Sequence, residues 1–456
     1  MTFQTINPFN GVKEANFSSF TVSQIENSIN KAVAAYREWS ALPVQTRAGF
    51  IKKIGQALEN NTERLARLVT LEMGKPIAQS IAEIKKCAWL CSHFATAGPD
   101  FLKEKKISLD DADGRILYQP LGVLLGVMPW NFPFWQALRF GVPALLAGNT
   151  ILLKPAPNVP QCSLALEKLI NEAVGMEAVF QIVFADVQQV EQILRHEKIA
   201  GVALTGSEKA GGSVAAIAGS EIKKCVLELG GSDAFLVLSD ANIPAAAQAA
   251  VQSRMNNTGQ TCIAAKRFIV EKSAADDFLN EVFNNYMTLK AGDPNDESVN
   301  LGPLARPDLL ENLQSQVEKS IQSGAQILID GGRAAYGSNF FRPMLLTNIQ
   351  PGMPAFDQEL FGPVATVFVV NDVAEAVKVA NNTRFGLGAA IWSDDVEKAN
   401  HVAEKLEAGA IAVNDFVRSD PRLPFGGIKK SGFGREMGLE GIREFVNIKT
   451  VVNKKI

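Results

Sequence analysis

The chain has 456 residues, of which 47% are hydrophobic and 20% are charged, and its formal net charge is −3. This balance is typical of a globular protein with two or more domains, and it gives no electrostatic reason to expect nucleic acid or an anionic membrane as a partner. The start, Met1–Gln4, has no signal-peptide pattern, and no apolar run is long enough to span a bilayer. We expect a cytoplasmic protein whose five cysteines form no disulfide framework.

The first hundred residues are predicted to be mostly helical. Apolar residues repeat at helical spacing over Ile25–Tyr36, 47–72 and 77–94. Cys87 and Cys91 lie one turn apart with His93 nearby, which suggests a metal site. The chain has only two other histidines and no CxxC pair, so we expect no metal.

From Leu121 onward, short apolar runs alternate with helical segments, which predicts a parallel α/β architecture in two units. We also predict peripheral strands at Ile107–Gln119 and Val446–Val452 that pair with another subunit, with loose tails as the alternative. The other predicted strands are 123–128, 150–153, 179–184, 201–204, 234–238, 268–270, 365–370, 388–392 and 410–413, and helices 372–382 and 395–407 connect the last three.

Two features of the first unit suggest nucleotide binding. Gly206 and Ser207 end a predicted strand, and Gly211 follows where a helix begins, so backbone N–H groups and the helix dipole are aimed at a phosphate. Lys154 ends another strand, where it could hydrogen-bond to ribose or phosphate. Glycine-containing turns are common in α/β proteins and a lysine at a strand end is usually solvated, so each feature alone is a weak indication.

Three residues suggest acyl chemistry. Cys262 is a candidate nucleophile, and Glu228, 34 residues earlier, is a candidate base for water. Asn131, within Pro129–Pro133, could donate its amide N–H to an oxyanion. The alternatives are a core cysteine, a glutamate at a loop end and an asparagine that caps a helix beginning near Pro133.

Taken together, the motifs resemble those of the NAD(P)-dependent aldehyde dehydrogenase superfamily, and most of all its short succinate-semialdehyde dehydrogenases. The resemblance runs from Asn7-Pro8 to the C-terminus, in the order of the family's motifs. It rests on 129–133, 154–155, 205–207, 228–231, 259–262, 359–363 and 424–436.

The resemblance implies a fold and an assembly. A Rossmann-type NAD(P)-binding domain would comprise residues 1–101 and 121–229, and an α/β catalytic domain would comprise residues 230–435. A small oligomerisation element, residues 102–120 and 436–456, would join subunits into a homodimer or homotetramer.

The resemblance also implies residue roles. Cys262 would attack an aldehyde to give a thiohemiacetal and then a thioester, with the oxyanion held by Asn131 and the Cys262 backbone N–H. Glu228 would activate the water that hydrolyses the thioester. NADP or NAD would be bound by a set of residues that includes Glu359 at the nicotinamide ribose, Phe361 near the ring, and Lys154 and Ser207 at the adenosine ribose and pyrophosphate; the others are Trp130, Gly206 and Gly211.

Two departures from the family pattern bear on the cofactor and on the N-terminus. Pro157 stands where strictly NAD-dependent members often carry a glutamate, so we expect NADP to be admitted without excluding NAD. The N-terminus is shorter than in long members of the family.

For the substrate, Arg139 matches an arginine that holds the carboxylate in succinate-semialdehyde dehydrogenases, helped here by Gln136 and Ser419. Asn256 replaces a second arginine of some members, which predicts looser selectivity. A structural salt bridge or a solvated helix face is the alternative for Arg139.

Three other functions remain open at this stage. A CoA-acylating semialdehyde dehydrogenase would transfer the acyl group to CoA, although Glu228 argues against it. A cofactor-independent esterase would use Cys262 alone. A binding protein that has kept the fold is the third, which the intact catalytic set disfavours.

Overall fold

The computed structural model describes residues 2–334 and 339–454. Its strands are β1 (Thr2–Ile6), β2 (Lys13–Ser18), β3 (Lys105–Ser108), β4 (Ala112–Pro120), β5 (Val123–Val127), β6 (Thr150–Lys154), β7 (Phe180–Ile182), β8 (Ile199–Thr205), β9 (Lys224–Glu228), β10 (Asp233–Val237), β11 (Ala265–Glu271), β12 (Gln326–Ile329), β13 (Gly332–Arg333), β14 (Phe341–Arg342), β15 (Met344–Thr347), β16 (Val364–Val370), β17 (Gly388–Trp392), β18 (Ala410–Val413), β19 (Gly432–Phe433) and β20 (Val446–Lys454).

The helices are α1 (Val22–Ala41), α2 (Val44–Asn60), α3 (Thr62–Met73), α4 (Ile77–Phe101), α5 (Pro133–Ala147), α6 (Pro160–Val174), α7 (Val187–Arg195), α8 (Glu208–Ser220), α9 (Ile243–Met255), α10 (Lys272–Met287), α11 (Pro307–Gln322), α12 (Pro354–Asp357), α13 (Val373–Asn381), α14 (Val396–Ala403) and α15 (Gly438–Glu444). Short 3₁₀ turns occupy Asn256–Gly259 and Lys429–Ser431. Within the described ranges, no helix is both long and apolar enough to cross a membrane.

Two large sheets confirm the predicted α/β architecture. The first has the order β19-β9-β8-β5-β6-β7 and is parallel except for β19. The second has the order β12-β15-β16-β11-β10-β17-β18 and is parallel except for β12. Helices between parallel strands must cross the sheet face, which explains the alternation of elements along the chain.

The predicted peripheral strands form a third sheet. Strand β20 pairs antiparallel with β4 along its whole length, from Val446↔Pro120 to Lys454↔Ala112, and β3 pairs on the other side of β4. The domain boundaries stay predictions. Strand β19, predicted within the catalytic domain, pairs with β9 at the edge of the first sheet. Positions 1, 335–338 and 455–456 of the predicted ranges lie outside the described residues.

Some elements differ from the prediction. The helical stretch 47–72 is two helices, because α2 ends at Asn60 and α3 begins at Thr62. Helix α14 ends at Ala403, four residues before the predicted end. The sequence analysis missed the β1–β2 hairpin and β9, whose first two residues, Lys224 and Cys225, are exposed and half-buried and so give no apolar run.

Two buried glutamates complete the N-termini of α5 and α6. Both helices begin with a proline and have no side-chain cap of their own. Glu83 of α4 accepts hydrogen bonds from the N–H groups of Phe134 and Trp135, both at 3.0 Å. Glu72 of α3 accepts from the N–H groups of Gln161 and Cys162, at 2.9 and 2.8 Å. Each carboxylate satisfies two unpaired amides and faces the positive end of a helix dipole.

Glu83 also carries a buried ion pair. The Lys75 ammonium donates to its Oε2, and both side chains are fully buried. The same ammonium lies 3.7 Å from the centre of the Phe132 ring. Burial lowers the pKa of Lys75, while Glu83 opposes the shift. The Lys75–Glu83 ion pair therefore holds the first turn of α5 in place, next to Asn131.

We predict that Glu83→Ala lowers the free energy of unfolding by about 3 to 5 kcal/mol, because it leaves a buried ammonium and two helix amides without a partner. Urea unfolding followed by circular dichroism would measure the change. Glu311→Ala, on an exposed face of α11, is the matched control and should change stability by less than about 0.5 kcal/mol. Equal midpoints for the two variants would contradict the assignment.

Candidate active site

The candidate site lies at the carboxyl ends of the strands of the first sheet. Val127, the last residue of β5, is in register with Lys154 of β6 and Leu204 of β8, and Thr205 is in register with Glu228 of β9. The loops that carry Asn131, Gly206 and the base candidate therefore leave the sheet at one edge. Ligands of open α/β sheets bind at this edge.

Asn131 connects this edge to the loop of the cysteine. Its side-chain Nδ2 donates to the Gln260 carbonyl at 3.0 Å, and its own carbonyl accepts from Asn257 Nδ2 at 2.9 Å. The N-cap of α5 is Phe132, without a side-chain cap, so Asn131 does not cap the helix as the alternative reading proposed. One amide hydrogen of Asn131 is committed to the loop, and the other is available to an oxyanion.

The loop before Cys262 has an unusual backbone. Asn257, Thr258 and Gly259 have φ values of 56°, 53° and 76°, in the left-handed region that costs free energy for residues with a Cβ. The buried guanidinium of Arg254 donates to the carbonyls of Gly259 (2.9 Å), Leu360 (3.1 Å) and Gly362. Arg254 thus joins the cysteine loop to the segment that carries Glu359.

Lys266 makes a second connection between the same segments. Its buried ammonium donates to the Thr261 carbonyl at 3.0 Å and the Cys262 carbonyl at 2.6 Å, and it lies 3.2 Å from Glu359 Oε1. Sequence analysis identified neither Lys266 nor Arg254. No motif signals them, because both act on backbone carbonyls that only the folded chain brings near.

The Cys262 thiol is protonated in the free protein. Burial raises its pKa to about 12, while the charges of Arg139 and Lys266 lower it and those of Glu359 and Glu228 raise it. A thiolate is the reactive form, so the site needs a base or a further positive charge to generate the nucleophile.

Glu228 is buried between a cation and a second carboxylate. Its Oε2 lies 3.7 Å from Arg139 Nη2, and among the described residues its Oε1 has no hydrogen-bond partner. Arg139 Nε donates to Glu436, and the guanidinium lies 4.6 Å from the centre of the Phe425 ring. Burial raises the pKa of Glu228 well above its usual value, Arg139 opposes the shift and Glu436 adds to it. A base of raised pKa with a free oxygen suits proton transfer from water.

Several residues predicted to bind cofactor lie at the carboxyl ends of the strands that neighbour Glu228. The Gly206 N–H donates to the Glu228 carbonyl at 2.9 Å, and the Ser207 hydroxyl caps α8, in whose first turn Gly211 lies. Burial lowers the pKa of Lys154 to about 8, and its ammonium has no carboxylate within ion-pair distance in the described ranges. An unpaired, half-buried cation and the N-terminus of α8 fit the phosphates and ribose of a dinucleotide.

The two aromatic residues that are predicted to bind the cofactor contact each other. The rings of Trp130 and Phe361 meet edge to face, with 5.8 Å between their centres. Glu359 accepts from the Gly231 N–H at 3.2 Å, in addition to Lys266. Residues more than two hundred positions apart in the sequence, Trp130 and Phe361, are thus in contact.

Cys262 lines a cavity of about 650 Å³. All three predicted substrate residues, Gln136, Arg139 and Ser419, line it. Gln136 and Ser419 are almost fully buried, and Gln136 Oε1 has no hydrogen-bond partner among the described residues.

The Ser419 hydroxyl accepts a hydrogen bond from Lys86 Nζ at 2.8 Å. The sequence analysis did not identify Lys86. Gln79, Glu83 and Lys86 are nevertheless spaced to share one face of α4, and all three line the cavity.

Comparisons with known proteins agree with the fold and site. A sequence model of the aldehyde dehydrogenase family matches residues 1–451. The chain is 44% identical over 451 residues to a probable succinate-semialdehyde dehydrogenase [NADP(+)] of Synechocystis sp., covering 99% of each chain. It is 43% identical over 452 residues to a succinate semialdehyde dehydrogenase [NAD(P)+] of Escherichia coli, covering 99% of this chain and 98% of the relative.

A solved structure gives the same result. The crystal structure of succinic semialdehyde dehydrogenase from Streptococcus pyogenes, in complex with NADP+, superimposes with a TM-score of 0.96 at 33% identity, and the match covers 98% of this chain and 99% of that one. Fold, ordered motifs and full-length similarity lead to one conclusion: the chain belongs to the aldehyde dehydrogenase family.

Proposed function

We propose that the protein oxidises succinic semialdehyde to succinate with NADP, and also uses NAD. One observation carries the substrate assignment: the cavity that Cys262 lines is also lined by Arg139, Gln136 and Ser419, so a nucleophile and donors for a carboxylate share one space. The names of the full-length relatives support the same substrate.

In the first half of the reaction, Cys262 Sγ bonds to the aldehyde carbon. The thiol proton leaves to water, and the carbonyl oxygen becomes an oxyanion. The free amide hydrogen of Asn131 and the Cys262 N–H are the donors that stabilise it. When bound, NADP or NAD would supply the acceptor for the hydride that leaves the former aldehyde carbon. A thioester on Cys262 results.

In the second half, Glu228 removes a proton from water, whose oxygen bonds to the thioester carbon. The carbon–sulfur bond breaks, the carboxylic acid leaves, and Cys262 regains its proton. Because the pKa of Glu228 is raised, its carboxylate forms only as pH rises through that pKa, and hydrolysis accelerates in the same direction.

The cofactor preference rests on Lys154 and Pro157. Lys154 offers an unpaired positive charge, and Pro157, three residues later, offers no carboxylate to repel a 2′-phosphate. Trp130, Phe361, Glu359, Gly206, Ser207 and Gly211 complete the proposed dinucleotide site.

The proposal includes a homodimer or homotetramer. Strand β20 is an edge strand of the third sheet, and it exposes the apolar side chains of Ile448 and Val452. An exposed apolar edge strand favours pairing with another chain. Residues 102–120 and 436–456 would form this oligomerisation element.

The first test compares two aldehydes of equal chain length. We expect kcat/KM for succinic semialdehyde to exceed that for butyraldehyde by about 10- to 150-fold, which corresponds to about 1.5 to 3 kcal/mol for charged hydrogen bonds to the carboxylate. Steady-state NADPH formation measures both values. Equal values would leave an aldehyde dehydrogenase of unassigned substrate.

Glu228→Gln should separate the two halves of the reaction. We expect one rapid burst of NADPH per active site followed by turnover reduced at least about a hundredfold, because the thioester forms but water lacks its base. Stopped-flow absorbance would record the burst. Cys262→Ala is the control and should give no burst at all. Loss of the burst in Glu228→Gln would mean that Glu228 also acts before hydride transfer.

Pro157→Glu should shift the cofactor preference towards NAD, because a carboxylate near the adenosine ribose repels a 2′-phosphate. The ratio of kcat/KM for NADP to that for NAD should fall about tenfold or more. Pro157→Gln, of similar size without the charge, is the matched control. An unchanged ratio in both variants would place residue 157 away from the ribose.

A further inference from the structure

The substrate cavity contains four charged side chains among its described lining residues, and three of them are already paired. Glu83 is paired with Lys75, and Arg418 Nη2 lies 3.1 Å from Asp415. Arg139 faces both Glu436 and Glu228. The fourth is Lys86.

Arg139 adds little net positive charge to this cavity. One guanidinium is shared by two buried carboxyl groups. With Glu436 ionised, the cluster is neutral when Glu228 is protonated and carries one negative charge when Glu228 is ionised. Arg139 Nη2 is buried without a hydrogen-bond partner within the described ranges, so Arg139 still has a donor to offer.

Lys86 is in a different position. Its Nζ donates to the Ser419 hydroxyl at 2.8 Å and lies 4.3 Å from the centre of the Trp135 ring, but no carboxylate of the described chain lies within ion-pair distance. An ammonium has three donors, so two remain available to a ligand. Burial, with help from Arg139, lowers the pKa of Lys86 to about 8, while Cys87, Asp420 and Glu83 oppose the shift.

We infer that Lys86 Nζ and the Ser419 hydroxyl form the recognition site for the carboxylate of the substrate, and that Lys86 supplies its net positive charge. This inference rests on the proposed function and extends it: the substrates are short aldehydes with a carboxylate at the far end. A carboxylate bound here would accept hydrogen bonds from the two free N–H donors of the Lys86 ammonium. Because this ammonium is partly desolvated, such charge-assisted hydrogen bonds compensate for the water that both ions lose. Arg139 contributes a directional hydrogen bond and holds Glu228 in place.

The test compares Lys86→Met with Lys85→Met. Lys85 is the preceding residue of α4, is exposed, and does not line this cavity. We expect the ratio of kcat/KM for succinic semialdehyde to that for butyraldehyde to fall about tenfold or more in Lys86→Met and to stay at the wild-type value in Lys85→Met. A wild-type ratio in Lys86→Met would overturn the inference. If this variant does not fold, Lys86→Gln replaces it.

The pH dependence gives a readout that a merely structural lysine would not move. Lys86 loses its charge as pH rises through about 8, so the wild-type ratio should fall between about pH 7 and pH 9.5. Lys86→Arg keeps its charge, so its ratio should fall less over this range than the wild-type ratio. Using a ratio cancels the catalytic ionisation of Cys262 and Glu228, which acts on both aldehydes. The negative charge that Glu228 gains changes the cavity equally in both proteins, so the difference between the two slopes reports Lys86 alone. Equal slopes in the wild type and in Lys86→Arg would contradict the assignment.

A cofactor-free experiment separates this inference from the substrate proposal. Succinate should slow alkylation of Cys262 by iodoacetamide, and Lys86→Met should need about tenfold more succinate for half protection, while Lys85→Met should behave as wild type. Suppose that the wild type does not prefer succinic semialdehyde, but that Lys86→Met weakens the protection of Cys262 by succinate. The proposed substrate would then be wrong, and the carboxylate site would still be supported. Equal protection, or none in the wild type, would overturn the site.

Discussion

One guanidinium joins three distant parts of the chain at the reacting centre. Arg139 projects from α5, Glu228 ends β9, and Glu436 belongs to the segment just before α15. Because all three side chains are almost fully buried, none can exchange its partner for water, and removing one would leave an uncompensated charge. The position and the proton affinity of the base are thus set by the same contacts.

The loop before Cys262 is held by a second set of contacts, which two buried cations make. Three consecutive residues in left-handed conformation strain the loop, and Arg254 and Lys266 act on its carbonyls from either side. Ordered cationic donors are well suited to this task, since each can hold several carbonyls at once. Both cations also contact the 359–362 segment. The loop of the thiol and the segment of the proposed ribose ligand are therefore connected through two buried cations.

Much of this arrangement could be predicted from the sequence, because parallel strands bring their carboxyl ends to one edge. That geometry places Asn131, Lys154 and Gly206 together from the predicted strands, whereas Glu228 ends β9, a strand that was not predicted. The ordered motifs also predicted Cys262 as the nucleophile and Glu228 as the base, and these two roles stay predictions.

Other features could not be predicted. Lys86, Arg254 and Lys266 belong to no motif, and their importance depends on partners that are far away in sequence, such as Ser419 for Lys86. The pairing of Arg139 with two carboxylates also depends on tertiary contacts. Strand β9 was missed because its exposed first half hides the apolar periodicity.

The two glutamates that cap α5 and α6 show how the first sheet depends on the N-terminal helices. Glu72 and Glu83 come from the helical layer, whereas the amides that they satisfy belong to helices that cross the first sheet. A chain beginning at residue 121 would retain every strand of that sheet and still leave both helix entrances unsatisfied. The first sheet and the N-terminal helices therefore depend on each other for buried hydrogen bonds that neither can complete alone.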